Sequence, residues 1–489
     1  MAIADQIKGL ARHSSIYTLS TFIQRALGFV MLPIYTDIKY LPSQSTYGDL
    51  SLVYTFMAFM NIVYLYGMDS ALLRYFFIGE HKREDVYKTA FIAVVLNSFI
   101  LSTILFLFAP EGGKLIFGAA GYKEYIWLAS VILFFDGLGN LPYLILRAEE
   151  KSVTYSVMRI GRFLLEFALN IVFVVILRME VIGILYANAI ASLINFLALL
   201  PYQKKYLKGS FEFKLLKILS MFALPMLPNG LAYLIVEVSD RYLMLFLLGK
   251  DTVGIYSPSY KFGSILLFIV IAFRTAWQPF FLKVAKETNA KEIYAKVMTY
   301  FTLGGVLVII GASYLLEYVL KMPLAFGKPI IGEKYWGGLI IMPIIMSSYL
   351  FYGMYVNLTV GIYIKKKTQY MIIFSGLAAL ANVGSNFYLM PHYGIVGAAI
   401  ATLLSYLIMA VTIFVANQKI YHVPYEYGRL IFLLVLLTGS MVVYYAFDIS
   451  IVVRIAVLII IPVIFYLTGF FKTDEINALR RLLAKSKAG

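Results

Sequence analysis

Apolar runs of about 20 residues recur along the whole chain and are separated by short polar or basic segments. Each run is long enough to cross a bilayer core of about 30 Å as a helix. Helices are expected throughout, because backbone that faces lipid must satisfy its own hydrogen bonds. We predict fourteen spans, at 15–36, 46–77, 88–109, 124–147, 152–177, 182–202, 217–247, 254–282, 299–320, 338–361, 368–389, 394–416, 428–447 and 450–471.

Composition agrees with an all-α polytopic membrane protein. Of the 489 residues, 61% are hydrophobic and 14% are charged, whereas a soluble protein carries about 25% charged residues. An even number of spans puts both termini on one side, and that side holds about three times as many Lys and Arg residues as the other. We therefore predict that both termini are cytoplasmic. The basic runs 365–367 and 480–487 are expected to set topology and to attract anionic lipid, and no nucleic-acid partner is predicted.

Some basic residues fall inside the predicted spans, where an arginine at the bilayer centre costs about 2.5–3.5 kcal/mol. Arg74 and Lys261 lie near span ends, from which long side chains can reach water. The deeper ones should face water or a partner, and they are Arg25, Arg159, Arg162 and Arg274.

The fifth span shows the clearest polar face. Arg159, Arg162, Glu166 and Asn170 fall on one side of its helical wheel, and the remaining positions are apolar. An ion pair between Arg162 and Glu166 that holds helices together is one interpretation. Because it leaves Arg159 without a partner, we prefer a polar wall that lines a water-filled cavity.

Polar faces on other spans indicate that this cavity is shared. In the eighth span, Tyr256, Tyr260 and Arg274 lie on one face. Deep arginines favour an anionic ligand, since a guanidinium can bind phosphate oxygens in a bidentate manner. The two tyrosines are candidates for packing against sugar rings, although tyrosine in a span is more often a packing or interface residue. The predicted substrate-binding residues are Arg25, Arg74, Arg159, Arg162, Arg274, Tyr256, Tyr260 and Asn170.

The seventh span contains candidates for a moving part. Pro225 and Pro228 lie within one turn and predict a kink or break, which is either a static bend or a gating hinge. Further along, Glu237 and Asp240 either bind a coupling cation or pair with basic residues on another helix, and we favour the pairing. The predicted ion-coupling or gating residues, with H⁺ or Na⁺ as the ion, are Glu166, Asp136, Glu237, Asp240 and Arg241.

A weak internal repeat relates the two halves of the chain. The segment "YGDLSLVYTF" (47–56) aligns with "VGIYSPSYKF" (253–262), which pairs Gly48 with Gly254. The repeat unit contains six spans, and an even number gives both halves the same orientation in the membrane. We predict two six-helix lobes around a central cavity: an N-lobe at 1–208, a C-lobe at 209–418, and two extra helices with a basic cytoplasmic tail at 419–489.

Three segments resemble the polysaccharide transporter branch of the multidrug/oligosaccharidyl-lipid/polysaccharide (MOP) exporter superfamily: "IQRALGFVMLPIYT" (23–36), "YGDLSLVYTF" (47–56) and "SDRYLMLFLLGKDTVGIYS" (239–257). The resemblance covers essentially the whole chain. It implies a flippase of the cell inner membrane that carries an undecaprenyl-diphosphate-linked oligosaccharide, such as an O-antigen, capsule or exopolysaccharide unit, to the outer leaflet by alternating access. Arg25 and the pair Asp240-Arg241 match residues of the family's motifs.

Other functions stay open at this point. A lipid II flippase of the same fold would also use arginines of the first, second and eighth spans, which Arg25, Arg74 and Arg274 match. A drug or cation antiporter would need acids in its cavity, and a polysaccharide polymerase would need a large outer loop, whereas the loops 110–123 and 321–337 are short. The scattered histidines, the absence of cysteine and the lack of a nucleotide-binding motif predict a non-enzyme without metal or cofactor, driven by an ion gradient. Membrane lipids and polymerase or ligase enzymes are candidate partners.

Overall fold

The computed structural model describes residues 28–472 and Glu475, and it omits 78–80, 286, 326–327, 366, 368 and 448–449 from that range. The described chain is helical almost throughout. Its α-helices are α1 (Leu32–Tyr35), α2 (Gln44–Leu65), α3 (Met68–Phe77), α4 (Arg83–Leu107), α5 (Ala109–Phe117), α6 (Lys123–Ala148), α7 (Ser152–Asn170), α8 (Glu180–Gln203), α9 (Phe213–Ala223), α10 (Met226–Leu248), α11 (Lys250–Gly263), α12 (Ile265–Val284), α13 (Ala290–Lys321), α14 (Met342–Leu358), α15 (Val360–Ile364), α16 (Tyr370–Ile420), α17 (Tyr427–Ala446) and α18 (Ile451–Leu467). Shorter elements are a π-helical turn at Ile171–Ile176, 3₁₀ helices at Tyr206–Lys208 and Glu333–Ile341, and the antiparallel strands β1 (Pro323–Ala325) and β2 (Lys328–Pro329).

Ten helical stretches of the described chain are long and apolar enough to cross a membrane, which confirms the all-α polytopic prediction. They account for all the predicted spans but three, because the 51 residues of α16 cover both 368–389 and 394–416. Of the three, 152–177 is helical, but its apolar sequence is interrupted by Arg159, Arg162 and Glu166. The span 450–471 forms the 17-residue α18. The remaining span, 15–36, lies mostly outside the described residues.

Several spans are broken or bent at residues that interrupt a helix. The seventh span is interrupted between α9 and α10, where Pro225 precedes the first turn of α10. Pro228 lies within that first turn, where a missing N–H costs no intrahelical hydrogen bond. The eighth span is interrupted at Ser264, between α11 and α12, and Gly394 (φ 57°) bends α16.

The helices form two packed groups. In the first group, α6 contacts α2, α4, α7 and α8. In the second group, α14 and α16 pack on each other and α10 packs on α16. Helices α12 and α13 of this group pack on α14. Helices α17 and α18 pack on α13. Although α9 precedes α10 in the seventh span, it packs on α3 and α4 of the first group, where Leu215 and Leu219 share an apolar core with Leu72 and Tyr87. The chain therefore passes from one group to the other at the α9–α10 break.

The two groups meet where α2 crosses α11, and the crossing joins residues that the repeat aligns. A Cβ atom on Gly254 would lie 1.9 Å from the carbonyl oxygen of Gln44, and one on Gly48 would collide with the backbone of α11. Beside these glycines, the hydroxyl oxygens of Ser51 and Ser257 are 2.6 Å apart. Equivalent helices of the two halves thus approach closely through small residues, as transmembrane helices commonly do.

Ion pairs join the two groups on the side of the predicted outer loops. Lys250 of α11 lies 2.8 Å from a carboxylate oxygen of Asp49 on α2. In the loops, Lys328 pairs with Asp37. These contacts link α2 and the loop that precedes it to α11 and the β1–β2 hairpin.

Candidate functional site

A cavity of about 630 Å³, here called the arginine cavity, lies between α9, α10, α12, α14 and α16. Arg274 of α12 lines it among aromatic side chains, and none of the described lining residues is Asp or Glu. The aromatic lining residues are Phe222, Tyr233, Trp277, Phe281, Tyr352, Tyr355 and Tyr363, and the uncharged polar ones are Gln278, Thr359, Gln369 and Ser375.

The guanidinium of Arg274 is available to a ligand. Its Nη1 donates a hydrogen bond of 3.3 Å to the Tyr352 hydroxyl, and no carboxylate of the described residues lies within ion-pairing distance. Arg274 and Gln278 also line a second volume of about 550 Å³ beside α12. The cavity thus combines one cation with aromatic walls, a chemistry that suits an anion attached to a ring-containing group.

Contacts between helices fix the aromatic walls. The Trp277 indole N–H donates to the carbonyl oxygen of Asn357 over 3.3 Å, and its ring stacks on Phe273 with centroids 5.4 Å apart. Across the cavity, the rings of Tyr233 and Tyr352 lie 6.1 Å apart. The aromatic surface is therefore supported by α10, α12 and α14 together.

A separate cavity of about 350 Å³ lies between α2 of the first group of helices and α10 and α11 of the second group. It is here called the interlobe cavity. Its lining is rich in hydroxyl groups. The hydroxyl-bearing lining residues are Tyr35, Tyr47, Ser51, Tyr54, Thr55, Ser257, Tyr260 and Ser264, and the charged ones are Glu237, Arg241 and Lys261.

Lys261 is a lining residue that the sequence reasoning missed. It was expected to reach water at its span end, but its ammonium donates a hydrogen bond of 2.8 Å to the Gly28 carbonyl oxygen and lies 5.4 Å from the ring centre of Phe29. The repeat contained a usable signal, since Lys261 is aligned with Thr55 of the first half. Both residues line the interlobe cavity, so the second half carries a charge where the first half has a hydroxyl group.

Arg162 is paired inside the first group of helices and does not form the predicted polar wall. It makes an ion pair of 2.8 Å with Asp136 of α6, and its Nη2 donates to the Ser192 hydroxyl of α8 over 2.9 Å. The alternative ion pair between Arg162 and Glu166 is absent as well. The charged face of α7 packs toward α6 and α8, which supply polar partners in place of water.

Arg159 and Asn170 of that face are also held by protein contacts, whereas the Glu166 carboxylate has no hydrogen bond or ion pair with the described residues. The guanidinium carbon of Arg159 lies 4.3 Å from the ring centre of Tyr143 and 5.5 Å from that of Tyr155, an arrangement of cation–π type. Asn170 is buried and accepts a hydrogen bond of 3.0 Å from the Tyr35 hydroxyl. Neither Arg159 nor Asn170 lines any of the three volumes described here, so their predicted contact with substrate finds no support in this conformation.

Two tyrosines connect the interlobe cavity to this buried cluster. Tyr35 donates to Asn170, and the Tyr54 hydroxyl accepts a hydrogen bond of 3.3 Å from Asn188. Asn188 in turn accepts from Ser192. A ligand that displaces either tyrosine hydroxyl would therefore disturb the polar cluster of the first group.

Glu237 of α10 is bound by hydroxyl groups of the second group. Its two carboxylate oxygens accept hydrogen bonds from Tyr349 at 2.6 Å and from Tyr406 at 2.8 Å. This geometry connects α10 with α14 and α16, and leaves the acid at the edge of the interlobe cavity.

Asp240, Arg241 and Tyr256 form a buried network. The carboxylate of Asp240 pairs with Arg241 at 2.8 Å and accepts from the Tyr256 hydroxyl at 2.5 Å. The favoured pairing with another helix is thus wrong for Asp240, whose basic partner is its neighbour on α10. Tyr256 is fully buried, so it cannot pack against a sugar in this conformation, whereas Tyr260 lines the interlobe cavity.

Arg74 and Pro225 lie apart from these networks. Arg74 is exposed at the end of α3, with its guanidinium 4.8 Å from the ring centre of Phe222. Pro225 lines the arginine cavity at the α9–α10 break. Arg25 lies outside the described residues.

Sequence comparison places the chain among polysaccharide biosynthesis proteins. Residues 10–285 match the family model Polysacc_synt, described as "Polysaccharide biosynthesis protein". An uncharacterized membrane protein of Methanocaldococcus jannaschii is 23% identical over 416 residues, which are 80% of this chain and 94% of that protein. Another, from Haemophilus influenzae, is 22% identical over 363 residues, 70% of this chain and 84% of that protein.

Solved structures share the fold. The lipid II flippase MurJ in an inward closed conformation has a TM-score of 0.72 at 15% identity, with 93% of this chain and 98% of that chain covered. A MOP superfamily transporter from Pyrococcus furiosus has a TM-score of 0.63 at 15% identity, covering 84% and 95% of the two chains. An outward-facing multidrug resistance MATE family transporter of the MOP superfamily has a TM-score of 0.60 at 16% identity, covering 84% and 95%. Since the family model matches more than half of the chain, the protein belongs to the polysaccharide biosynthesis protein family.

Proposed function

We propose that this protein is a MOP-type transporter and, more specifically, a flippase that moves a polyprenyl-diphosphate-linked oligosaccharide from the inner to the outer leaflet. The observation that carries the proposal is the arginine cavity, in which Arg274 is the sole formal charge among the described lining residues. A guanidinium binds phosphate oxygens through paired N–H donors. The aromatic walls provide apolar faces for the sugar next to the diphosphate, and the polyprenyl chain stays in the lipid.

Alternating access is the mechanism that fits these contacts. The ion pairs Asp49–Lys250 and Asp37–Lys328 hold the predicted outer side closed. The arginine cavity lies beside segments that adjoin the predicted cytoplasmic loops, and it includes Phe222 and Gln369 in its lining. The headgroup enters there, the two groups of helices move about the α2–α11 crossing, and the sugar leaves on the outer side.

The energy for this cycle would come from an H⁺ or Na⁺ gradient. Glu237 and Glu166 are the acids within spans that we assign to coupling, because an ion bound more tightly in one conformation shifts the equilibrium between the two. The proposal includes an inner-membrane location with both termini in the cytoplasm. Polymerase and ligase enzymes that extend or transfer the delivered sugar are the proposed partners.

Lipid II transport is the second candidate, since lipid II shares the polyprenyl diphosphate and the MurJ structure has this fold. The headgroup attached to the diphosphate therefore decides between the two flippase functions. A cation antiporter is disfavoured, because no carboxylate is among the described residues that line the arginine cavity.

The test uses purified protein in liposomes that contain a fluorescent polyprenyl-diphosphate oligosaccharide. The fraction exposed to a membrane-impermeant quencher reports movement between leaflets. We expect the wild type to accelerate movement and Arg274→Ala to slow it about tenfold or more, the effect of losing one charged hydrogen-bonded contact. Arg274→Lys should recover part of the rate, because an ammonium supplies charge without the bidentate fork.

Arg147→Ala is the matched control, since Arg147 is exposed at the end of α6. Equal rates for Arg274→Ala and the control would contradict the site. Movement of lipid II in place of the oligosaccharide lipid would favour the second candidate, and efflux of a fluorescent cation would favour an antiporter.

A further inference from the structure

We propose that the interlobe cavity binds a carboxylate-bearing sugar of the transported oligosaccharide, and that Lys261 is the residue that recognises the carboxylate. This inference rests on the proposed flippase function and names the sugar class that the transporter favours. A uronic acid residue is the simplest sugar with the required chemistry.

The first step is that no acidic side chain of the described residues neutralises the charge of Lys261. An ammonium has three N–H donors, and one of them reaches the Gly28 carbonyl oxygen at 2.8 Å. No carboxylate of the described residues lies within ion-pairing distance of the lysine. Because a charge inside a span is costly unless a partner or water offsets it, a ligand anion is the natural complement.

The second step is that the other charges of this cavity are already engaged. Glu237 has both carboxylate oxygens occupied by tyrosine hydroxyls. Arg241 pairs with Asp240 at 2.8 Å and donates to the backbone carbonyl of Glu237 at 3.0 Å. A ligand carboxylate is therefore directed to Lys261.

The third step concerns the rest of the lining. Ser51, Tyr54, Thr55 and Ser257 present hydroxyl groups around a volume of about 350 Å³. Hydroxyl groups both donate and accept hydrogen bonds, which matches the hydroxyls of a sugar ring. The volume is at the small end of the range for ligand pockets, about 300–1,000 Å³, so it suits one or two sugar residues and excludes a long chain.

The fourth step relates the two cavities. Tyr233 lines the arginine cavity and Glu237 lines the interlobe cavity, and both belong to α10. Four residues of helix separate them by about 6 Å along the axis. The proposal places the diphosphate at Arg274 and a distal sugar on the Lys261 side of α10, with the two basic residues thirteen positions apart on the successive helices α11 and α12.

The test compares two fluorescent polyprenyl-diphosphate disaccharides that are identical except for the terminal sugar, which is glucuronic acid in one and glucose in the other. Their rates of movement are measured in liposomes at equal protein content. We expect wild type to move the acidic lipid at about a tenfold lower half-saturating concentration than the neutral one, as one charged contact predicts. Lys261→Met should bring this ratio close to one, and Lys261→Arg should keep most of it.

Lys123→Met is the matched control, because Lys123 is exposed at the start of α6 and should leave the ratio unchanged. A wild-type ratio of one, or a ratio that Lys261→Met leaves unaltered, would overturn the proposal. The elution profile of detergent-solubilised Lys261→Met in gel filtration should match that of the wild type, which excludes misfolding as the cause of any change.

A separate measurement distinguishes this proposal from the flippase function. If neither lipid moves, the flippase function fails, and the site is tested alone by calorimetric titration of purified protein with the soluble disaccharides. Binding of the glucuronosyl form that is lost in Lys261→Met would retain the carboxylate site, whereas equal binding of both sugars, or binding of neither, would remove it.

Discussion

Pairing across helices decides which arginines are free to meet a ligand. Arg162 and Arg274 look alike on their helical wheels, because both lie on a polar face of an apolar span. Arg162 is paired with Asp136 on the neighbouring helix, whereas Arg274 has a tyrosine hydroxyl as its hydrogen-bond partner. Periodicity predicts the face of a side chain, but the partner that packs against it depends on the tertiary structure.

The Arg162–Asp136 pair makes a prediction about stability. The two side chains are 15% and 20% exposed, so breaking the pair should cost somewhat less than the roughly 3–5 kcal/mol of a fully buried one. We expect Arg162→Gln and Asp136→Asn each to lower the thermal unfolding midpoint of the purified protein. The double variant should lose less than the sum, because no charge is left unpaired.

Transport distinguishes this structural role from substrate binding. The double variant should still move the oligosaccharide lipid, with Arg147→Gln as the control for loss of an exposed arginine. Additive loss of stability together with abolished transport would show that Arg162 contacts the substrate.

Helix breaks and glycine contacts organise the elements. The repeat aligned Gly48 with Gly254, and Pro225 indicated the break in the seventh span, so both features could be read from the sequence. That α9 packs with the first group could not, because its apolar residues are equally suited to either side. In the structure the chain passes from one group of helices to the other at the α9–α10 break, whereas the predicted lobe boundary is at residue 208.

The glycine crossing leads to a prediction with a control in the same chain. Gly254→Ala would place a Cβ 1.9 Å from the Gln44 carbonyl oxygen, so α2 and α11 must separate. We expect a loss of about 1–3 kcal/mol, as found for overpacked interiors, seen as a lower unfolding midpoint. Gly311→Ala in α13 has open space at the new Cβ and should be tolerated. Equal stability of the two variants would mean that the helices do not cross this closely.

Over the whole molecule, sequence establishes the membrane class and the repeat but not the conformational state. The state depends on contacts between distant segments, such as Asp37 with Lys328 and Asp49 with Lys250. Tyr122 strengthens the second pair, since its hydroxyl accepts from Lys250 at 2.6 Å and donates to Asp49 at 3.1 Å. None of these polar residues is distinguished in the sequence from ordinary loop or helix-end residues.

If the Asp49–Lys250 ion pair holds the outer side closed, as the proposed mechanism requires, weakening it should increase access from outside. The chain contains no cysteine, so Ala58→Cys places a single thiol in the lining of the interlobe cavity. A membrane-impermeant maleimide added outside the cell should label it slowly, and adding Asp49→Asn should speed labelling about five- to tenfold. That factor corresponds to the loss of about 1–1.4 kcal/mol from the closed state.

Lys123→Met, which removes an exposed lysine on the same side, should leave the rate unchanged. Labelling that is already fast without Asp49→Asn, or that is indifferent to it, would show that this pair does not hold the outer side closed, and reagent applied to inside-out vesicles would then identify the open side directly.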